Sequence, residues 1–253
     1  MTGHGILGYS FSQSFIELFK TFMKKLCLFL AAAVVSLGAL NVQANVFITE
    51  IMYNPASTTD GSSEGPIGEW VEIYNSGASS VDVSGWYLDD EDASNWDPLG
   101  AGSILLPGEV AIIATNPTEF NQAWGSGIKV FGITGRGTMA NTVNTASNEL
   151  LDLKDSTGTV IDAAHYKNAF EGWPAGSNGK SIYLKNISLD NDIGANWALS
   201  ASGIDGAFSP STTVEPYVMA DVGSPGVVVV PEPATAVLLG FGLAGLLIAR
   251  RRN

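Results

Sequence analysis

The run from Ala234 to Ala249 carries no charge and stops on Arg250-Arg251-Arg252-Asn253. As a helix, these residues would rise about 24 Å, slightly less than a ~30 Å hydrocarbon core. Bilayer thinning or snorkelling arginine side chains cover the difference. A second apolar run, Leu26–Leu40, follows the basic Met23-Lys24-Lys25 and leads into the small residues around Val42-Gln43-Ala44. A basic start, an apolar stretch without a polar face and a small-residue end make a secretory leader, with signal peptidase expected to cut after Ala44. Met23 fits as its start. Residues 1–22 then read as an upstream extension, or else as an unusually long polar leader region. The arginines at the far end keep that flank cytoplasmic, so the middle of the chain is expected outside the inner membrane. The alternative for residues 26–40, a core helix, is disfavoured because the run has no polar face. The expected organisation is therefore an extension (1–22), a signal peptide (23–44), one domain (45–226) and a tail (227–253) with a transmembrane helix at 234–249.

The middle differs sharply from the ends. The mean hydropathy of +0.19 comes largely from the two apolar runs. The 29 glycines and the 15% of charged residues suit a loop-rich β domain better than a helical bundle. Residues 45–230 hold 6 Lys and Arg against 23 Asp and Glu, a balance of −17. Such a surface repels phosphate backbones, which argues against nucleic acid as a partner. Cys27 is the single cysteine and sits within the leader, directly after the basic residues and too early for a lipoprotein site. The mature domain is expected to have no disulfide, thiol nucleophile or thiolate metal site.

Period-two runs between turn residues predict strands at Val46–Met52, Glu69–Asn75, Val81–Leu88, Glu109–Thr115, Leu150–Lys154, Val160–Tyr166 and Ser181–Lys185. Asn75-Ser76-Gly77, Leu106-Pro107-Gly108 and Asp155-Ser156-Thr157-Gly158 supply the turns. One helix is signalled by Asn116 as cap, Pro117 in the first turn and Glu119 three residues after the cap, with Phe120 and Trp124 at helical spacing. It should end near Gly125. Seven or more short strands and one short helix predict an all-β, two-sheet sandwich.

Two resemblances fit this outline. Pro231-Glu232-Pro233, the glycine-bearing apolar run (Gly240, Gly242, Gly245) and the cluster Arg250, Arg251, Arg252 resemble, in order and spacing, the PEP-CTERM sorting signal. That resemblance implies processing by exosortase, a membrane-embedded transpeptidase of Gram-negative bacteria that make exopolysaccharide. The alternative is a permanent membrane anchor. The prolines deny their segment a regular helix and leave an extended strip for a peptidase, preceded by the extended Val227–Val230. In the middle, Ile48-Thr49-Glu50-Ile51-Met52-Tyr53-Asn54-Pro55, Glu69-Trp70-Val71-Glu72-Ile73-Tyr74-Asn75, Val83-Ser84-Gly85-Trp86-Tyr87-Leu88-Asp89-Asp90, Leu106-Pro107-Gly108-Glu109, the hairpin Leu150–Asp162, Asn196-Trp197 and Gly223-Ser224-Pro225-Gly226 are similar to the lamin-tail domain. That resemblance implies an immunoglobulin-like β-sandwich with a binding or structural role. Ser57–Ile67 and Ser202–Pro216 depart from the pattern as long loops.

Few residues offer chemistry. A serine triad would rest on His165 alone, and Asp162 three residues away lies on the opposite side of a strand. Gly132–Gly137 lacks the lysine and serine of a phosphate loop. The acidic stretch Asp89-Asp90-Glu91-Asp92, with Asp97 close behind, is the best candidate site. Asp89, Asp90, Asp92 and Asp97 could brace a loop around calcium, although the spacing fails the EF-hand pattern. Asp190-Asn191-Asp192 is a weaker candidate. Trp96 and Trp173 are expected to be exposed and are candidates for stacking on carbohydrate, exopolysaccharide included, whereas Trp70, Trp86 and Trp197 belong to the core. No cofactor is expected apart from possible calcium. The reading is a non-catalytic exported surface or matrix protein. Its alternatives are a calcium-dependent or carbohydrate-binding adhesion module, and a hydrolase with an unrecognised site.

Overall fold

Strand β1 (Val46–Met52) lies at the centre of the domain and changes its facing midway. Its register against β2 (Trp70–Asn75) shifts between Ile48 and Glu50, a β-bulge that adds one residue and reverses the alternation. Ile48 and Ile51 consequently both enter one apolar core, while Met52 joins a second. The computed structural model that shows this describes Glu17 and residues 46–56, 68–90, 96–135, 139, 149–167, 170–175 and 178–230. After β2 come β3 (Val81–Asp82), β4 (Tyr87–Asp89), β5 (Ile104–Leu105), β6 (Val110–Ala114), helix α1 (Pro117–Trp124), β7 (Val130–Gly132), β8 (Leu151–Lys154), β9 (Val160–Ala164), β10 (Ile182–Leu184) and β11 (Trp197–Leu199).

The main sheet has the order β11-β10-β1-β2-β6-β7, and the facing layer is formed by β4-β8-β9 with the ribbon β3-β5. Ile48, Ile51, Val71, Ile73 and Ile113 of the main sheet share a core with Leu88, Leu151, Leu153 and Ala164 of the facing layer. The other face of the main sheet is covered too. Met52, Trp70, Ile112 and Ala114 pack with Phe120 and Trp124 of α1 and with Tyr217. Trp70 meets Phe120 edge-on at 5.9 Å, and Phe120 meets Tyr217 at 5.2 Å. Each large apolar side chain so enclosed contributes about 1.5–3 kcal/mol.

Helix α1 forms as its sequence predicts. The Asn116 side chain accepts from the backbone N–H groups of Thr118 and Glu119, Pro117 occupies the first turn, and Gly125 is the C-cap. It carries the chain from β6 to a parallel β7. The expected strands recur with ends shifted by one or two residues, except Val81–Leu88. There Asp82 Oδ1 accepts from Ser84 N, Gly85 adopts φ +78°, and Trp86 N donates to Val83 O. This local turn divides the run between β3 and β4. The short strands β5, β7 and β11, of two or three residues each, go beyond what the alternation in the sequence predicts. Ser202–Pro216 is a long connection, but it is packed: Phe208 meets Trp124 edge-on at 5.6 Å.

The domain has two distinct ends. Val46 pairs with Asn75 at one, and Met52 pairs with Trp70 at the other. The leader, the insert Ser57–Ile67 and the predicted helix 234–249 lie outside the described residues. Among the described residues, no helix is long and apolar enough to cross a membrane.

Candidate functional site

The described members of the acidic stretch, Asp89, Asp90 and Asp97, turn to three different partners. Asp89 ends β4 with its Oδ2 2.5 Å from Lys154 Nζ, because the antiparallel register sets Asp89 opposite Asp152 and Tyr87 opposite Lys154. Asp90 turns inward, is almost wholly buried, and accepts from Trp96 Nε1 at 3.3 Å. Asp97 reaches across to the segment after β7. There Thr134 Oγ1 donates to it at 2.5 Å and Gly135 N at 2.6 Å, and these bonds hold its carboxyl below the usual range. Asp92 lies outside the described residues. Among the described residues, no group of three His, Cys, Asp or Glu side chains is placed to hold a metal ion. In the second candidate triplet, Asp190 Oδ1 accepts from Asp192 N, and Asn191 Nδ2 donates to Ile48 O and to Asp162. Asn191 thus ties this loop to β1 and β9.

The expected exposure of Trp96 and Trp173 is corrected by the structure. Trp96 is 1% exposed and Trp173 5%, and both belong to the main core. Trp173 packs against Trp197 at 5.5 Å with the rings tilted by 31°. It fits there because residue 194 is glycine: a Cβ on Gly194 would lie 2.4 Å from Trp173 Cδ1. Neither indole face is available to a sugar. His165 also serves structure. Its Nε2 lies 3.0 Å from Asp152 and its Nδ1 3.4 Å from Asp192, while its backbone N–H donates to Asp192 Oδ1.

Sequence reasoning missed the most developed polar assembly, the buried pair Glu50 and Glu72. They are cross-strand partners on β1 and β2, and both are essentially unexposed. Glu50 Oε1 accepts from Ser181 Oγ at 2.5 Å and from Ser224 N at 2.7 Å, and Oε2 accepts from Ser224 Oγ at 2.8 Å. Glu72 accepts from Thr49 Oγ1 and from Gly226 N, each at 2.7 Å. Burial pushes Glu50 up to about 7 against the lowering effect of its donors. Burial, with the charge of Glu50 adding to it, raises Glu72 well above the ordinary carboxylate range. These bonds fasten the closing segment Gly223–Gly226 across the sheet. Gly223 must be small there, since a Cβ would sit 2.9 Å from Trp70 Cζ2 and 3.1 Å from Glu50 Oε1. The strap continues until Val229 O accepts from Ile187 N at 3.0 Å. One signal in the sequence pointed to the pair: the irregular alternation of Glu69–Ile73, which is what a strand buried on both faces produces.

A second buried group lies at the Met52–Trp70 end. Tyr53 and Tyr166 stack at 4.5 Å. Burial, together with the charges of Glu149, Glu69 and Asp90, raises the Tyr166 hydroxyl well above its ordinary value. The chain enters residues 57–67, 91–95 and 140–148 close to these carboxylates in sequence.

A sandwich closed by a carboxylate-fastened strap, with an apolar tail beyond it, defines a class: immunoglobulin-like β domains delivered by a C-terminal segment. The chain belongs to the lamin tail domain family, whose profile matches residues 41–168. A PEP-CTERM protein-sorting motif matches residues 229–252. The motif makes the chain an exported protein sorted and processed by exosortase, anchored in the membrane beforehand. Both are non-catalytic types of domain. No curated protein sequence matches the chain. The processing residues Ala44, Pro231, Glu232, Pro233, Arg250, Arg251 and Arg252 lie outside the described residues.

Proposed function

We propose that this is a non-catalytic display module of the cell surface or extracellular matrix. In this reading its sandwich is carried by a removable tail, and its Met52–Trp70 end faces outward. The observation that carries it is the join between domain and motif: the fold is hydrogen-bonded as far as Val229, and Pro231 of the sorting motif follows after a single intervening residue. A domain that closes directly against its sorting motif is built to be set down at the membrane and presented from it. Signal peptidase acts after Ala44, and exosortase acts near Pro231–Pro233. The strong acidity of the domain keeps it soluble once it is released or transferred. A structural or binding role also follows the fold's general character, since function resides in sites and not in the sandwich itself.

Mass spectrometry of the protein recovered from cell surface and medium tests this reading. The expected mass begins at Asn45 and ends near Pro231–Pro233, with or without an added group. Recovery of the intact 253-residue chain, soluble and folded in the cytoplasm, would refute it. A screen of the purified protein against hydrolase substrates addresses catalysis separately, and turnover of any of them would overturn the non-catalytic assignment.

A further inference from the structure

The two ends of the folded domain leave it at one place. Val46, the first residue of β1, lines a recess of about 420 Å³ in which Phe47, Ile161 and Leu189 alternate with the polar Ser76, Ser188 and Asn191 and with Ile187. Ile187 is the residue whose N–H holds Val229 O, so the chain also departs at this rim. Leu189 is 38% exposed, Ile161 39% and Val230 58%. Aliphatic side chains thus stand in water at the point where the tail leaves. We infer that, before processing, this end of the domain rests on the outer surface of the bilayer that holds the tail. The inference rests on the reading of 234–249 as a membrane-spanning helix.

Reach decides the geometry. Residues 230–233 separate the last pinned residue from the helix and extend at most about 14 Å. The polar headgroup layer takes up roughly 6 Å of that. A domain of this size has a radius of gyration of about 16 Å. Its tether is shorter than its own radius, so the exit end cannot turn away from the membrane while the strap is fastened. The contact needs little intrinsic affinity, because a short tether supplies an effective concentration in the millimolar range. Asp190 and Asp162 share the recess and disfavour anionic headgroups, so the surface suited to this end is a neutral, zwitterionic one. Cutting the tail removes the tether, and the same weak contact then lets the domain go.

The test uses the full chain in phosphatidylcholine vesicles. With Cys27→Ser, single cysteines at Leu189, Ile161, Met219 and Leu238 take an environment-sensitive dye, and brominated lipid serves as quencher. Met219 is 59% exposed and lies at the opposite end, beside Asp221, which accepts from Ala56 N. Quenching at Leu238, shallower quenching at Leu189 and Ile161, and none at Met219 are expected. Quenching at Leu238 with Leu189 and Ile161 no different from Met219 would overturn the docking and leave the spanning helix standing. An unquenched Leu238 would overturn both. Inserting twenty Gly and Ser residues after Val230 lowers the effective concentration by about tenfold. The Leu189 signal should then fall towards that of Met219, and a signal unchanged by the longer tether would count against the inference.

Discussion

Glu50 Oε1 accepts a hydrogen bond from the backbone N–H of Ser224 at 2.7 Å, across 174 residues of sequence. The first strand and the last segment of the domain are thereby joined through one buried carboxyl group. Its cross-strand neighbour Glu72 holds Gly226 in the same way. Two buried carboxyls placed side by side share a proton more readily than they both ionise. The closing strap is therefore fastened most firmly when at least one of them is protonated.

Stability should depend on pH accordingly. Burial raises Glu50 to about 7 and raises Glu72 well above the ordinary carboxylate range. It also raises Asp162 and Asp221 to about 6. Each group binds its proton more tightly folded than unfolded. Its contribution is complete below the unfolded value near 4 and is lost as pH rises through the folded value. The lowered carboxyls, Asp97 and Asp155 among them, act oppositely and weaken the fold only as pH drops through their own, lower range. The melting temperature should therefore fall as pH rises from about 4.5 to about 7. Glu50→Gln, which keeps the shape and cannot ionise, should flatten that slope. A slope unaltered in the variant would show that the pair does not control it.

Loosening the strap should cost stability in proportion to the partners left behind. Glu72→Ala strands Thr49 Oγ1 and Gly226 N, each a donor to the lost carboxyl, and should destabilise by about 2–4 kcal/mol. Gly223→Ala should destabilise by about 1–3 kcal/mol, because its Cβ meets Trp70 and Glu50. Urea melts measure both changes. Hydrogen exchange should report faster opening at Ser224 and Gly226 in either variant, and protection unchanged at both amides would contradict the account.

Trp96 and Trp173, both enclosed in the main core, should behave as core residues. Trp173→Ala and Trp96→Ala should each lose about 3–5 kcal/mol, and Gly194→Ala should disturb the Trp173–Trp197 pair directly, because its Cβ would press on the Trp173 ring. Near-ultraviolet circular dichroism follows that pair. Wild-type tryptophan emission should be blue-shifted and resist quenching by iodide.

Much of this architecture is legible in the chain. Asn116, Pro117 and Gly125 specify α1 through contacts with their immediate neighbours, and Val46–Met52 or Val160–Ala164 declare strands by composition. What escaped depends on distant partners. β7 has three residues and exists because β6 lies beside it. Trp173 is buried because Gly194, twenty-one positions onward, leaves room. Glu50 and Glu72 are charged residues in strand sequences, and nothing local tells that Ser181, Ser224 and Gly226 will meet them. The acidic loop misled for the converse reason. Asp89, Asp90 and Asp97 fall within nine positions of sequence, but the fold sends them respectively to Lys154, inward to Trp96, and across to Thr134.

That dispersal sets the expected response to calcium. To join a cation site, Asp89 would have to leave Lys154 and Asp97 would have to leave Thr134 and Gly135, while Asp90 would have to turn outward from beneath Trp96. Calcium prefers six to eight oxygen ligands, and each of these moves gives up a bond already made. Millimolar calcium should leave the melting temperature within about 1 °C of the chelator-treated protein, because a ligand that binds the folded state stabilises it only in proportion to its occupancy. Lys154→Met releases Asp89 at a cost of about 0–1 kcal/mol, as for other partly exposed pairs, and should not create calcium dependence by itself. Calorimetry with calcium decides the matter directly. A saturable heat of binding, lost in Asp97→Asn, would show that the loop rearranges around the ion and that the arrangement described here is its unliganded form.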